Sequence, residues 1–173
     1  PHRDAVGTAS AYPAGLLASG EAAGLAVSRP GRQAPHRRAG AVFGLPLGAA
    51  GALLTHRVSW VREAGFATFP TNFDDYLKLC QALQKNGHPA GFALSHATGD
   101  SETWMHNVLW GFGGRLVDEK NQVAINSPET IKAIEYMQQL SKTFIEGTAG
   151  WSGVSNNNAF LEGKISLTSN GIS

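Results

Sequence analysis

The chain has almost no cysteine. Cys80 is the single one in 173 residues, so an internal disulfide is excluded and cysteine usage leaves the compartment open. Neither sign of charge is in excess: 14 Lys+Arg face 13 Asp+Glu, a formal net charge of +1. That balance removes the electrostatic basis for binding nucleic acid or an anionic membrane surface. Long apolar runs are also missing, and none approaches the roughly 20 residues that a membrane-spanning helix needs. Hydrophobic residues make up 42% of the chain, which is ordinary for a globular protein. The length suits one domain with a real core.

The absences are not spread evenly. The first forty residues contain no Ile, Phe, Met, Asn or Lys, and every lysine lies at Lys78 or beyond. Ala, Gly, Pro and Arg dominate there, with Arg3, Arg29, Arg32, Arg37 and Arg38 crowded together, and the chain opens on Pro1. From Val42 onward the composition is that of an ordinary α/β protein. Residues 1–40 read either as a low-complexity leader or as an out-of-frame or artificial junction, the second being preferred. A signal peptide fits poorly, because Glu21 and several glycines interrupt the apolar region it requires. The fold is therefore expected from residues 41–173.

In that region apolar runs of strand length alternate with helical periodicity. Val42–Leu47 and Ala52–His56 read as strand segments, and Ser59 opens a short helix that Gly65 ends. Thr71 is the expected N-cap of a helix with Asp74 and Asp75 in its first turn and Gly87 past its end. Its buried stripe is Phe73, Tyr76, Leu77, Cys80 and Leu83, which makes Cys80 a small buried hydrophobe. Gly91–Ser95 is a buried strand. A helix from about Ser101 puts Trp104, Val108 and Phe112 on one face and stops at Gly113-Gly114. Arg115–Val117 and Gln122–Ile125 form a hairpin. Ser127-Pro128-Glu129 opens a further helix with the stripe Ile131, Ile134, Met137 or Gln138, Leu140 or Ser141, and Phe144. Asn156 or Asn157 caps a short helix that Gly163 ends, and Lys164–Ser169 is a last strand. Strands alternating with helices predict an α/β layered domain.

Catalytic and metal-binding patterns are absent or weak. No Gly-x-Ser-x-Gly elbow is present. Asp100 and Glu102 could form an acid/base pair, but two carboxylates at a helix start are commonly capping groups. His88, His96 and His106 lack ligand spacing, and Gly44 to Gly51 lacks the lysine of a phosphate loop. Neither a metal nor a cofactor is implied. What stands out is Trp151 in the Gly-rich loop Thr148–Gly153, followed by Ser155-Asn156-Asn157-Asn158. An indole face beside carboxamides suits a sugar, covering its C–H surface while the amides meet hydroxyls in both directions. Equally, Trp151 could pack over a domain edge while the asparagines cap the next helix. Trp104 and Trp110 point to different sides of one helix; core is the default for each, and Trp104, near Asp100, is the one that could face a cleft.

These residues lie in stretches that resemble the sugar-binding group of ABC-importer extracellular solute-binding proteins, the maltose-binding-protein-like group. The matching segments include WVREAG at Trp60–Gly65, WMHNVLWGFGGRLVD at Trp104–Asp118, INSPET at Ile125–Thr130 and NNAFLEGKISLTSNG at Asn157–Gly171. Their order and spacing cover about three quarters of the chain and carry the likeness. The resemblance implies an α/β, periplasmic-binding-protein type II-like fold, of which residues 43–173 supply a hinge crossing near Pro46 to Ala50 and most of one lobe. A lobe without its return strands would be marginally stable, with no cooperative transition above about 60 °C.

The resemblance also implies a function: a monomer, periplasmic or extracellular and open to lipid anchoring, that binds a small carbohydrate and delivers it to the permease subunits of an ABC importer without altering it. Carried over by position, the implied ligand contacts are the stretch from Asp100 to Trp104, then Trp151, Asn156, Asn157 and Asn170, with Trp151 foremost. The competing readings are a fragment of a carbohydrate-active enzyme and a truncated reading frame without function.

Overall fold

The computed structural model describes residues 6–9, 36–38, 41–44, 52–96 and 99–171. Among the described residues there are five strands: β1 (Val6–Ala9), β2 (His36–Arg38), β3 (Ala41–Gly44), β4 (Ala52–Arg57) and β5 (Leu167–Gly171). β4 is the centre of a sheet with order β1–β4–β5, antiparallel on both sides, in which Leu54 faces Ala9 on one neighbour and Ser169 on the other. β2 and β3 form a separate antiparallel pair. Part of the region set aside by composition thus contributes backbone to the main sheet. The expected hinge crossing at Pro46 to Ala50 lies outside the described residues.

The described residues also contain five α-helices: α1 (Val58–Glu63), α2 (Phe73–Lys85), α3 (Asp100–Gly111), α4 (Pro128–Ser141) and α5 (Ser155–Leu161). α2 begins one residue later than expected, because Asn72 rather than Thr71 is its N-cap. The Asn72 side chain accepts the Asp75 backbone N–H at 2.8 Å and donates to the Asp75 carboxylate. Asp75 also pairs with Lys78, which pulls its carboxyl below the usual range. α4 starts as the sequence indicates: Ser127 accepts the Thr130 N–H, and Pro128 occupies the first turn, where its missing N–H costs nothing. α5 has Val154 as its cap residue and no side-chain cap, so neither Asn156 nor Asn157 plays that part.

The core lies between the sheet and α2, α3 and α4. Leu54, Leu79, Leu83, Val108, Leu140 and Leu167 are wholly buried within it. Two aromatic groups fill its wider parts: Phe92, Trp104 and Phe144 with centroids 5.1–5.6 Å apart, and Phe73, Phe112 and Tyr136 at 4.7–5.2 Å. The α4 stripe is rotated by one position from the one read in the sequence. Thr130, Ala133, Tyr136 and Leu140 face inward, whereas Ile131 and Ile134 are 55% and 56% exposed. The reason is volume: α4 packs on α3, and small Ala133 allows close approach while Tyr136 fills the gap with its ring and donates its hydroxyl to the Phe73 carbonyl.

Two expected strand features are only partly built. The 115–125 hairpin has its turn, in which Asp118 accepts the Lys120 and Gln122 N–H groups, but a single bridge at Val117 and Val123. Gly91–Ser95 is extended through its buried part yet forms no ladder. Its bonds are divided among Leu167, which accepts from Gly91, and Thr148, which accepts from Leu94. The last strand runs Leu167–Gly171 rather than Lys164–Ser169, because its register is fixed by pairing with β4.

Candidate functional site

The candidate site is assembled where the extended segment after α2 meets the loop that precedes α5. Ser166 donates its N–H to Pro89, Gly91 to Leu167, and Ile145 to Ala90, so residues 89–91 are held between the approach to β5 and the segment after α4. Gly91 is the closest point. A Cβ there would stand 2.5 Å from Ile165 Cδ1 and 2.8 Å from Trp151 Cη2. Only hydrogen permits that approach, so the indole of Trp151 rests directly on the Gly91 backbone. The ring also packs on the small cluster of Ala159, Phe160 and Ile165, and remains half-buried. Ser95 donates its hydroxyl to the Trp151 carbonyl, which ties the loop to the extended segment.

Asp100 opens α3, after Gly99 at φ 101°. Its Oδ2 is buried and accepts no hydrogen bond among the described residues, and burial pushes the carboxyl upward from its usual range. Gly153 faces it, and a Cβ there would lie 3.8 Å from Oδ2. Asp100 therefore approaches the same loop that carries Trp151. Glu102 is exposed, and residues two apart on a helix do not face each other, so the two carboxylates form no acid/base pair.

The three asparagines form a connected group. Asn156, 2% exposed, donates from Nδ2 to the Ser169 carbonyl and to Asn170 Oδ1, each at 3.1 Å, with Thr168 Oγ1 at 3.4 Å. Asn170 in turn donates from Nδ2 to Asn157 Oδ1 at 2.6 Å. Asn157 and Asn170 are half-buried, and Asn170 lies near the carboxyl end of β5.

Two sequence expectations are corrected. Trp104 is 2% exposed, its rings meet Phe92 and Phe144, and its indole N–H donates to the Ala93 carbonyl at 2.8 Å. It is a core residue whose polar handle is already used. Asn156 is likewise enclosed, with its NH2 turned to the Ser169 carbonyl and to Asn170. The structure thus groups Trp151 with Asp100 through one loop, and Asn157 with Asn170 through Asn156. Among the described residues no three His, Cys, Asp or Glu side chains could share a metal ion. Cys80 is fully buried, its thiol pushed up to about 12 by desolvation. Sequence reading missed Gly91, Ser95 and Gly153. Gly91 alone carried a signal, since a glycine within a buried strand marks close approach.

A family model for bacterial extracellular solute-binding proteins matches residues 14–173. No curated protein sequence matches the chain. Among solved structures, maltose-bound MalE3 of T. maritima superposes with a TM-score of 0.60 and 26% identity, covering 70% of this chain and 32% of that one. A protein from Synechococcus sp. MITs9220, described as an oligosaccharide periplasmic-binding protein and solved with zinc, gives 0.57 and 16% identity. That match covers 69% of this chain and 30% of that one, and shows the fold alone. The chain spans about a third of the length of these structures.

Proposed function

Because the chain belongs to the bacterial extracellular solute-binding protein family, and so works outside the cytoplasm, we propose that it binds a sugar or oligosaccharide for delivery to an ABC importer. The observation that carries this reading is the exposed chemistry of the loop edge. A half-buried indole and the Asp100 carboxylate meet at one loop, and a pair of half-buried carboxamides stands at the end of β5. The indole face covers the C–H surface of a sugar ring. The carboxylate accepts from one hydroxyl, and the amides meet others. The likeness to a maltose-bound structure points the same way.

In this reading residues 41–173 supply much of one lobe, with β1 added at the edge of its sheet. The complete protein acts as a monomer. Ligand touches both lobes only when they are closed, so it favours closure by its differential affinity for that state, and the permease subunits of the importer take up the closed form.

Titration calorimetry of the full chain with maltose, maltotriose and glucose tests the reading. Trp151→Ala is expected to weaken sugar binding by about 2–4 kcal/mol, as for loss of a central hot spot. A dissociation constant left unchanged removes Trp151 from the site. Failure of all three sugars to bind at millimolar concentration removes the carbohydrate reading.

A further inference from the structure

We infer that Asn156 is a positioning residue: it fixes the direction of the amides of Asn170 and Asn157, so that Asn157 presents N–H donors to a ligand. This deepens the carbohydrate reading and rests on it for the identity of the ligand, but the ordering of the amides stands on the structure by itself.

The argument begins at an atom that cannot change its role. The Ser169 carbonyl only accepts, so the group of Asn156 that lies 3.1 Å from it must be the NH2. The same NH2 lies 3.1 Å from Asn170, which must therefore turn its oxygen toward Asn156. Asn170 is then left with its own NH2 on the opposite side, 2.6 Å from Asn157, and Asn157 must answer with oxygen. The Asn157 NH2 makes no hydrogen bond among the described residues and is the free end of the relay. One backbone carbonyl thus sets three side-chain amides in sequence. Asn156 is 2% exposed, so water cannot compete for its end of the chain. An amide on an open surface flips between two nearly equal states; here flipping any one amide sets like groups against each other, losing two bonds at Asn156 or Asn170 and one at Asn157.

The consequence is a specificity rule. At Asn157 the ligand must offer an acceptor, such as a hydroxyl, ring or glycosidic oxygen. A neutral polyol ring does so.

The test uses the full chain and two variants. Water exchange of the side-chain NH2 protons, followed by NMR, reads the relay without ligand. The wild type is expected to show fast exchange at Asn157 and exchange at least tenfold slower at Asn156 and Asn170. Asn156→Leu, near-isosteric but without donors, releases the constraint, and the Asn157 and Asn170 rates should draw together. A role in stability alone would lower the melting temperature and leave their ratio as it was. Asn157→Asp keeps the oxygen that accepts from Asn170 and exchanges the outward donors for a charged acceptor. Its melting temperature should hold while maltose affinity falls tenfold or more. Equal exchange at Asn157 and Asn170 in the wild type overturns the inference, as does an Asn156→Leu ratio identical to the wild type. Ordered exchange together with no binding of maltose supports the relay and counts against the carbohydrate reading, so the two failures are told apart.

Discussion

Replacing Gly91 by alanine adds one methyl group at the point where the candidate site is most tightly built. The new Cβ would stand 2.5 Å from Ile165 Cδ1, 2.8 Å from Ile165 Cγ2 and 2.8 Å from Trp151 Cη2. Carbon atoms rest at about 3.5–4.0 Å, so both neighbours must retreat by roughly 1 Å. Ile165 is wholly buried and cannot do so without disturbing Phe160 and Ala159. Overpacking of this kind costs about 1–3 kcal/mol. Alanine restricts the unfolded chain and returns about 0.4–1 kcal/mol, leaving a net loss of about 1–2 kcal/mol. At this chain length that is a melting temperature lower by about 2–8 °C. Scanning calorimetry of Gly91→Ala, Ile165→Ala and the double variant measures it. Truncating Ile165 removes two of the three close contacts, so the cost of Gly91→Ala should shrink by at least about 0.5 kcal/mol in that background. Equal costs in both backgrounds, or a Gly91→Ala protein as stable as its parent, would refute the reasoning.

Two further outcomes follow from buried titratable groups. Burial raises the carboxyl of Asp100 above its ordinary 3.8, so its contribution is intact below that pH and is lost as pH rises through the folded-state value. Asp100→Asn is therefore expected to melt higher than the parent at pH 7, with the gap closing toward pH 3, and to bind sugar less tightly; a lower melting temperature at pH 7 contradicts this. For Cys80 the thiol moves from 9.0 to about 12, so stability is full below pH 9 and declines as pH rises toward 12. Three pH units correspond to about 4 kcal/mol at 1.36 kcal/mol each. Urea midpoints of the parent and Cys80→Ala, measured from pH 8 to pH 11, should diverge in the alkaline range, and parallel curves refute the assignment.

How much of this was legible in the sequence differed by element. α2 and α4 could be read nearly to the residue, because their starts carry local chemistry: a cap oxygen, acids in the first turn, proline where no N–H is needed. The face of α4 could not. Ile131 and Ile134 are stronger apolar signals than Thr130 and Ala133, yet close packing against α3 selects the small residues. Periodicity reports the pitch of a helix, and the neighbour decides its rotation. Trp104 and Trp151 show the same limit. Both are tryptophans beside polar residues, and only tertiary placement sends one into the core with its N–H bonded to Ala93 while the other rests on a loop edge. The asparagine run stands out in the sequence as a group, but the division of labour within it depends on Ser169 and Asn170, which come more than ten residues later.

The connection between Arg57 and Phe160 bears on how the molecule reaches this arrangement. The Arg57 guanidinium lies over the rings of Trp60 and Phe160 and donates to the Phe160 carbonyl, joining points 103 residues apart in the chain. β4 closes against β5 across a similar interval. α2, α3 and α4 all lie inside that interval and can gain structure from near neighbours, whereas the central sheet must wait for its two distant edges to meet. Closing so long a loop costs entropy before any ladder bond compensates. Folding should accordingly be slow at its final step, with the helices protected early and the β4–β5 amides last.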